Sequence, residues 1–501
     1  MAATANKRTP HRAGLLSACV ALAFAPGAHA LDWKIEPSIE TYATYTDNAR
    51  QSAVNPDDAL ILGVMPGFVL RSEGSRRVEA TLQYGMRGVF RFGDDRDDVM
   101  QHNLNALGKA ELIEDFLFVD GSARVSQELI SLIGSPAGAD VNDSNRADVA
   151  SYSISPYIKK RLGTFAQTEL RYTASGTSYG ENAVSDAHSN GFSAVLASGT
   201  RFDDLNWSLN YSIRDNVNRD DVDTRFESAS VTLGYALSRK FRLIGSYGHD
   251  WNDYPVPPGT ETEGPSYSAG FAWAPTRRTS LELSAGENYL GSTYNVAARH
   301  RTRTTNWNLS YTQGLSDASQ FSPTNGTQYD YRCPTADGGV KQYNDWKFTF
   351  PPEPGCIAFG GRPGVVFDLR SGVFFAKTLR SGVSWGINKF TYTLNYTDSR
   401  RLFTASGEED RTTALGLLAV YRVSPLTSLN AGLTFTHIQL PVSLNSPARD
   451  DDWTAFSLGV DHRFAEKLSG ALIFRRNERD SNVATGDYTE NSLTASVNMR
   501  F

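Results

Sequence analysis

The final nine residues, 493–501, alternate apolar and polar side chains without interruption and end in Phe501. Successive side chains of a β-strand point to opposite faces, so this segment predicts a strand with one apolar and one polar face. Such a strand ending in an aromatic residue is typical of bacterial outer-membrane β-barrels. We therefore interpret Val497, Met499 and Phe501 as a C-terminal signal for the barrel-assembly machinery.

The same alternation recurs through most of the chain and restricts how it can cross a membrane. After residue 30 no apolar run approaches the ~20 residues that a spanning helix needs. Because lipid offers no hydrogen-bond partner to a backbone, strands can cross a bilayer only as a closed barrel. The 40% apolar content and 42 glycines suit an antiparallel barrel, although a soluble periplasmic β-protein would have a similar composition.

The spacing of turn residues predicts the size of the barrel. Ten short turns alternate with eleven longer polar loops, which predicts 22 strands in an up-and-down transmembrane barrel, with an allowance of two either way. An even number places both chain ends in the periplasm. The least certain stretch is 288–313, where two short strands are expected around Arg301–Arg303.

Residues 1–30 have the organisation of a secretory signal. Three basic residues precede a short apolar run, and Ala28-His29-Ala30 predicts cleavage after Ala30. A lipoprotein cleavage box at Cys19 is the alternative, but Cys19 lies inside the apolar run. We expect residues 31–501 to form one barrel domain in the outer membrane, in contact with lipid and lipopolysaccharide.

The segment 314–373 fits neither a strand nor a simple turn. It contains six prolines and both remaining cysteines, Cys333 and Cys356. In an exported protein these predict one disulfide, which would contribute about 3 kcal/mol for a loop of this size. Two unpaired thiols are the alternative. A loop this long suggests an outer lid, a constriction of the lumen or a passive surface loop.

The charge balance bears on partners. The predicted signal holds three of the 49 basic residues and no acidic residue, so the mature chain has 46 basic and 55 acidic residues, a net charge of −9. This argues against nucleic acid as a partner. The densest basic cluster, Arg299, Arg301 and Arg303, is expected on a periplasmic turn, where it would attract an anionic polymer entering the barrel or be an exposed turn without a partner.

Alternation also separates the two faces of each strand. We expect Thr494, Ser496 and Asn498 to face a polar lumen, as on the other predicted strands. Aromatic residues near strand ends are expected to form girdles at the two membrane interfaces. These aromatic residues are Tyr42, Phe92, Phe116, Tyr247, Trp251, Trp385 and Tyr421.

Motifs that would support catalysis or metal binding are weak. Gly176–Gly180 matches G-x-S-x-G, but this pattern indicates a nucleophile only at a strand-to-helix turn, so Ser178 with His188 is far better explained by chance. The acidic runs 94–98 and 450–452 lack the spacing and glycine of a calcium loop. We predict no catalytic, metal or cofactor site.

Several segments resemble outer-membrane proteins associated with PEP-CTERM protein sorting and exopolysaccharide loci, related to β-barrel porins. The segments that carry the resemblance are 33–37, 40–42, 45–48, 65–67, 291–294, 301–307 and 310–311. The resemblance implies export or surface assembly of an exopolysaccharide together with its export apparatus, through a polar conduit without catalysis. The alternatives are a general diffusion porin, a surface scaffold and a lipid hydrolase at the rim.

Overall fold

A computed structural model describes the chain from the end of the predicted signal to its last residue, with internal gaps. The described residues are 32–93, 97–129, 146–180, 186–218, 223–317, 328–334, 340–343, 357–362, 372–441, 448–483 and 486–501. The predicted signal and its cleavage site lie outside these residues.

All regular elements in the described residues are β-strands. They are, in chain order, β1 Asp32–Thr46, β2 Ala59–Glu73, β3 Val78–Phe92, β4 Val99–Ile113, β5 Leu117–Leu129, β6 Arg146–Leu162, β7 Ala166–Tyr179, β8 Ala187–Ser198, β9 Leu205–Asn218, β10 Thr224–Ser238, β11 Phe241–Asp253, β12 Glu263–Thr276, β13 Thr279–Asn288, β14 Gly291–Arg301, β15 Thr305–Asp317, β16 Gln328–Pro334, β17 Val340–Tyr343, β18 Ile357–Arg362, β19 Val373–Ile387, β20 Phe390–Phe403, β21 Glu409–Arg422, β22 Thr427–Leu440, β23 Arg449–Ala465, β24 Leu468–Ser481 and β25 Tyr488–Arg500.

Twenty-two of these strands form one closed antiparallel barrel, which confirms the predicted fold class and strand number. Each wall strand pairs with its neighbours in the chain, except that β15 pairs with β19, because β16, β17 and β18 are not part of the wall. The barrel closes where β1 pairs with β25, with Thr44 opposite Thr494 and their hydroxyl oxygens 2.8 Å apart. The even number places the start of β1 and the end of β25 on the same side, the periplasmic one.

Tight periplasmic turns connect the strands as predicted. The stretch around residues 301–303 is indeed a turn between two strands, β14 and β15. At some turns the backbone enters the left-handed region, where Gly163 has a φ of 60° and Asn388 a φ of 53°. Glycine and asparagine tolerate this conformation better than most residues.

The alternation in each strand separates a lipid face from a lumen face. On β2 the exposed side chains of Leu60, Leu62 and Val64 lie on one face, whereas Ala59 and Ile61 are buried on the other. Large apolar residues that are exposed on a single chain indicate the surface that meets lipid. Residues that lie opposite each other on paired strands share a face, so the registers assign the lipid face and the lumen face on each neighbouring strand in turn.

Two expectations about particular segments are wrong. The segment 314–373 is not free of strands: residues 314–317 belong to β15, Val373 begins β19, and β16, β17 and β18 form a small separate sheet that lies beside β22. Tyr42 does not belong to an aromatic girdle. It shares the parity of Thr44 and Thr46, so it faces the lumen, where it is only 8% exposed.

Candidate functional site

The lumen is the candidate site, and one part of its surface is made of small hydroxyl side chains. Ser246 on β11 lies opposite Thr232 on β10 and Ser268 on β12, while the lipid face of the same strands carries exposed Leu233, Tyr247 and Tyr267. We define the serine wall as the lumen-facing serines of β9 to β13. These are Ser208, Ser212, Ser228, Ser230, Ser246, Ser266, Ser268, Ser280 and Ser284.

None of the nine serines in the serine wall is buried. Neighbouring hydroxyls pair across strands, with Ser212 and Ser228 oxygens 2.9 Å apart and Ser246 and Ser268 oxygens 2.7 Å apart. A hydroxyl both donates and accepts, so the remaining capacity of each faces the lumen. The serine wall is therefore a neutral, hydrated surface that can form hydrogen bonds with a passing polar molecule.

The opposite part of the lumen carries buried charges. We define the charged wall as the lumen-facing residues of β20, β21, β23, β24 and β25. Arg401 on β20 donates to Asp410 on β21 through Nε at 3.0 Å and Nη2 at 2.6 Å, and Arg401 is only 2% exposed. The Arg401 guanidinium also lies 5.4 Å from the ring centre of Phe374 and 5.3 Å from that of Phe403.

Two further acids of the charged wall are fully buried. Asp451 on β23 accepts from Arg449 at 2.8 Å and also from Arg479 on β24. Glu490 on β25 accepts from Gln51 at 2.7 Å, from Thr46 at 3.1 Å and from Asn477 at 3.1 Å. These contacts lie at the outer ends of their strands, so they join neighbouring strands at the extracellular rim.

Contacts across the barrel narrow its outer end. Asp317 at the end of β15 accepts from Asn216 Nδ2 on β9 at 2.7 Å and lies 3.5 Å from Arg214 Nη2. Five strands of the wall lie between β9 and β15. Thr404, which follows β20, donates its hydroxyl to the carbonyl of Pro255, which follows β11, at 3.2 Å. The two contacts pass over the region of β13 and β14, the shortest strands of the wall.

Two tyrosines support this region from the outer turns. Tyr254 and Tyr289 have their hydroxyl oxygens 3.2 Å apart, and Tyr289 also accepts from Asn252 Nδ2 at 2.9 Å. Burial raises the pKa of Tyr289, and the hydrogen bond with Tyr254 raises it further. Both phenols therefore stay neutral at ordinary pH and hold the turn after β13 against the loop after β11.

The predicted basic cluster lies at the periplasmic end of the barrel. Arg299 and Arg301 end β14, and Arg303 lies in the turn before β15, all three exposed. The register places Arg299 opposite Ser280 and Asn308, on the lumen face. Whether this cluster binds a partner stays a prediction.

The weak motifs do not form sites. Ser178 lies within β7, exposed on the lipid face, and the next element in the described residues is the strand β8. The acidic run 450–452 is divided by alternation, because Asp451 is buried in the lumen whereas Asp450 and Asp452 lie beside His437 on the outer face. Residues 94–96, Cys356 and the side chain of Cys333 lie outside the described residues, so the disulfide stays a prediction.

Two other kinds of feature are absent from the described part of the chain. No three His, Cys, Asp or Glu side chains there lie close enough together to hold a metal ion. Within the same residues, no helix has the length and apolar character needed to span a membrane.

Sequence reasoning missed the contrast between the two walls. The alternation showed which residues of a strand face inward, but the serine wall depends on the register of five strands. The buried pair Arg401–Asp410 had a local signal, since nine residues separate the two across one hairpin. The contact between Asn216 and Asp317 joins residues 101 positions apart and had no such signal.

Comparison with known proteins shows the fold and the compartment. No family model and no curated protein matches this sequence. The chain is similar to the siderophore receptor PirA from Acinetobacter baumannii, with a TM-score of 0.53, 9% identity, and coverage of 93% of this chain and 80% of that one. The FrpB iron transporter from Neisseria meningitidis has a TM-score of 0.51 and 10% identity, over 93% and 82% of the chains.

A third similar structure is a mutant of the ferric enterobactin receptor PfeA from Pseudomonas aeruginosa, with a TM-score of 0.51 and 10% identity, over 93% and 80% of the chains. The chain is thus a large outer-membrane β-barrel, as predicted. The predicted role in exopolysaccharide export is wrong, since the similar barrels are receptors and a transporter for siderophores or iron. The resemblance to the PEP-CTERM-associated family is not tested by these comparisons.

Proposed function

We propose that this barrel takes up a hydrophilic ligand across the outer membrane, and that the ligand passes along the serine wall. The observation that carries the proposal is the set of nine unburied serines on the lumen face of five neighbouring strands. A surface of small hydroxyls offers weak, exchangeable hydrogen bonds, so a polar ligand keeps its hydration and is not held tightly at any point.

The charged wall is less suited to this role. Arg401 is paired with Asp410, Asp451 is paired with Arg449 and Arg479, and Glu490 accepts hydrogen bonds from Gln51 and Thr46; Asp451 and Glu490 are fully buried. Opening these pairs to reach a ligand would leave a buried charge without its partner, which is costly. These buried contacts of the charged wall therefore hold strands together, whereas the exposed hydroxyls of the serine wall are free to meet a ligand.

The direction and the first ligands to test come from the similar barrels. PirA and PfeA are named as siderophore and ferric enterobactin receptors and FrpB as an iron transporter. Identity of 9–10% supports the shared fold only, so the ligand of this chain is part of the proposal. Ferric chelates are the first class to test, followed by other small hydrophilic solutes.

The test is uptake of radiolabelled ferric chelates by the native bacterium, with the gene deleted and then restored as wild type or as a variant. Ser246→Trp places a large ring in the middle of the serine wall. The matched control is Ser457→Trp, on the lumen face of β23 between Gly432 and Arg475. We expect deletion and Ser246→Trp to abolish most of the uptake, and the control to retain it.

Two results would contradict the proposal. If deletion leaves the uptake of every ferric chelate and small solute unchanged, the barrel does not import such ligands. If both tryptophan variants reduce uptake equally while each is folded in the outer membrane, the serine wall is not the route. Folding is checked by the resistance of the barrel to unfolding in detergent before heating.

A further inference from the structure

A second feature of the barrel is a concentration of positive charge along one side of its periplasmic rim. Five consecutive turns of the wall, those after β10, β12, β14, β19 and β21, lie side by side there. We define the basic arc as the segments 236–242, 275–279, 299–305, 386–390 and 421–427, which contain these turns. Together they hold ten Lys and Arg residues and no Asp or Glu.

This concentration runs against the balance of the whole chain, which has 55 acidic and 49 basic residues and a formal net charge of −6. The periplasmic turns beside the basic arc are mixed. The turn after β8 carries Arg201 with Asp203 and Asp204, and the turn after β23 carries Glu466 with Lys467. The ten cations therefore form a local field of one sign.

Several of these cations face the lumen mouth. Arg242 lies opposite Ala236 and Ala272 on the face that carries Ser246. Arg299 lies opposite Ser280 and Asn308, and Arg422 lies opposite Ser428 on the lumen face of β22. The basic arc thus extends from the turns into the opening, and its part at the turns after β10 and β12 lies directly below the serine wall.

The cations of the basic arc have no acidic partners within the part of the chain that the structure describes. None of the ten forms an ion pair there, and Lys389 donates only to the carbonyl of Val423 at 3.2 Å. Some other cations in the lower barrel are paired: Arg77 contacts Glu114, and Arg171 contacts Asp120 and Glu169.

Asp204, in the turn after β8, adjoins the basic arc, because its carbonyl accepts from the Ala236 N–H at 2.7 Å. A second acid, Glu282, faces the lumen from β13, opposite Ala272 and Ala297, and is exposed. The ten cations outnumber these neighbouring acids, so the region is positive. In a concave opening with low-dielectric walls, charges of one sign focus the field and raise the local concentration of the opposite ion.

We propose that the basic arc binds a small ligand with several negative charges, from phosphate or carboxylate groups, where the serine wall opens to the periplasm. This inference rests on the proposed function, because it assigns a chemical class to the ligand that the serine wall conducts. Arginines suit such a ligand, since a guanidinium can bind phosphate or carboxylate through two parallel hydrogen bonds. Because the site is exposed, binding must weaken with salt.

The test measures binding of inositol hexakisphosphate to the full chain in a non-ionic detergent by isothermal titration calorimetry. The arc variant combines Arg299→Gln, Arg301→Gln and Arg303→Gln. The matched control combines Lys159→Gln, Lys160→Gln and Arg161→Gln, which removes the same charge from the periplasmic end of β6. Both variants are first shown to be folded by their resistance to unfolding before heating.

We expect wild type to bind the probe and the arc variant to bind about tenfold more weakly or worse, since opposite charges attract even in water. The control should change affinity by no more than about twofold, because its site lies more than a Debye length of ~10 Å away from the basic arc. Failure of wild type to bind, or an equal loss in both variants, would overturn the inference.

An anionic phospholipid is the competing occupant, and nanodiscs distinguish it. If the wild-type protein loses the probe in phosphatidylglycerol nanodiscs but keeps it in phosphatidylcholine nanodiscs, lipid occupies the basic arc and the inference is wrong. Equal binding in both supports a soluble ligand.

Uptake separates this inference from the proposed function. If the chain takes up a ligand and the arc variant takes it up equally well, only the anion site is wrong. If the basic arc binds anions in solution but deletion of the gene alters no uptake, the proposed function fails while the anion site stands.

Discussion

The serine wall and the charged wall follow the same alternation and face the same lumen, yet their side chains differ in exposure to water. On the serine wall no serine is buried and hydroxyls pair weakly across strands. On the charged wall Arg401, Asp451 and Glu490 are nearly or wholly buried and engaged in short contacts. The difference teaches that a polar lumen residue can either contact a ligand or stabilise the barrel, and that the burial of its side chain determines which role it has.

The largest expected effect comes from breaking the charged wall at Arg401. Arg401→Met keeps most of the side-chain volume but removes the main partner of Asp410. Because Asp410 is only 4% exposed, its carboxylate would then be buried without that partner. We expect a loss of about 3–5 kcal/mol in the free energy of unfolding. Urea unfolding of the barrel in lipid vesicles, followed by tryptophan fluorescence, measures this loss.

The double variant Arg401→Met with Asp410→Leu is the control for that experiment. It removes both charges, so we expect it to recover much of the lost stability, as is common when a buried ion pair is replaced by apolar side chains. If the double variant is as unstable as the single one, the pair does not stabilise the barrel through its charges. Buried charge would then not explain why the charged wall contributes more to stability than the serine wall.

An intermediate effect is expected at the outer rim, where Asp317 links β15 to β9. Asp317→Ala removes the charged acceptor for Asn216 Nδ2, which also donates to Thr224 Oγ1 at 3.1 Å. Hydrogen bonds to charged groups contribute about 1.5–3 kcal/mol. We expect faster amide hydrogen exchange at the outer ends of both strands. Asp215→Ala is the control, because Asp215 is 54% exposed and pairs only loosely with Arg225; exchange that rises equally in both variants would argue against a specific link.

The smallest expected effect is on the serine wall. Ser246→Ala removes a hydroxyl pair with Ser268 that lies in a hydrated lumen, so the loss should be about 1 kcal/mol or less. The same urea unfolding experiment measures it beside Arg401→Met. A loss as large as that of Arg401→Met would show that the serine wall also holds the barrel together, and the comparison of the two walls would collapse.

Much of the fold followed from the sequence because a barrel wall obeys a local rule. Trp307, Leu309 and Tyr311 face lipid as alternation predicts, since they lie on the face opposite Asn308 and Ser310. Tyr42 was assigned wrongly because aromatic character was considered without parity. Its neighbours Thr44 and Thr46, both buried in the lumen, show the face on which it lies.

The site was harder to predict because it depends on which strands become neighbours and on what crosses the lumen. A serine on one strand does not by itself predict a hydroxyl surface; the register that places Ser246 beside Ser268 is also needed. The basic cluster at Arg299–Arg303 was visible as a local run, but the basic arc was not, since its segments are spread over about 190 residues of sequence. Only the closed wall brings those turns together.

The pairing of β1 with β25 also governs how the chain must fold. Thr44 and Thr494 meet across 450 positions of sequence, so the last hydrogen-bonded ladder closes a loop that includes almost the whole chain. Closing so long a loop carries a large entropic cost and makes folding slow. Until β25 is in place, β1 presents an unpaired edge that can pair with another chain. A truncated or stalled chain is therefore an aggregation hazard, and completion of this seam is the step that commits the barrel to its folded state.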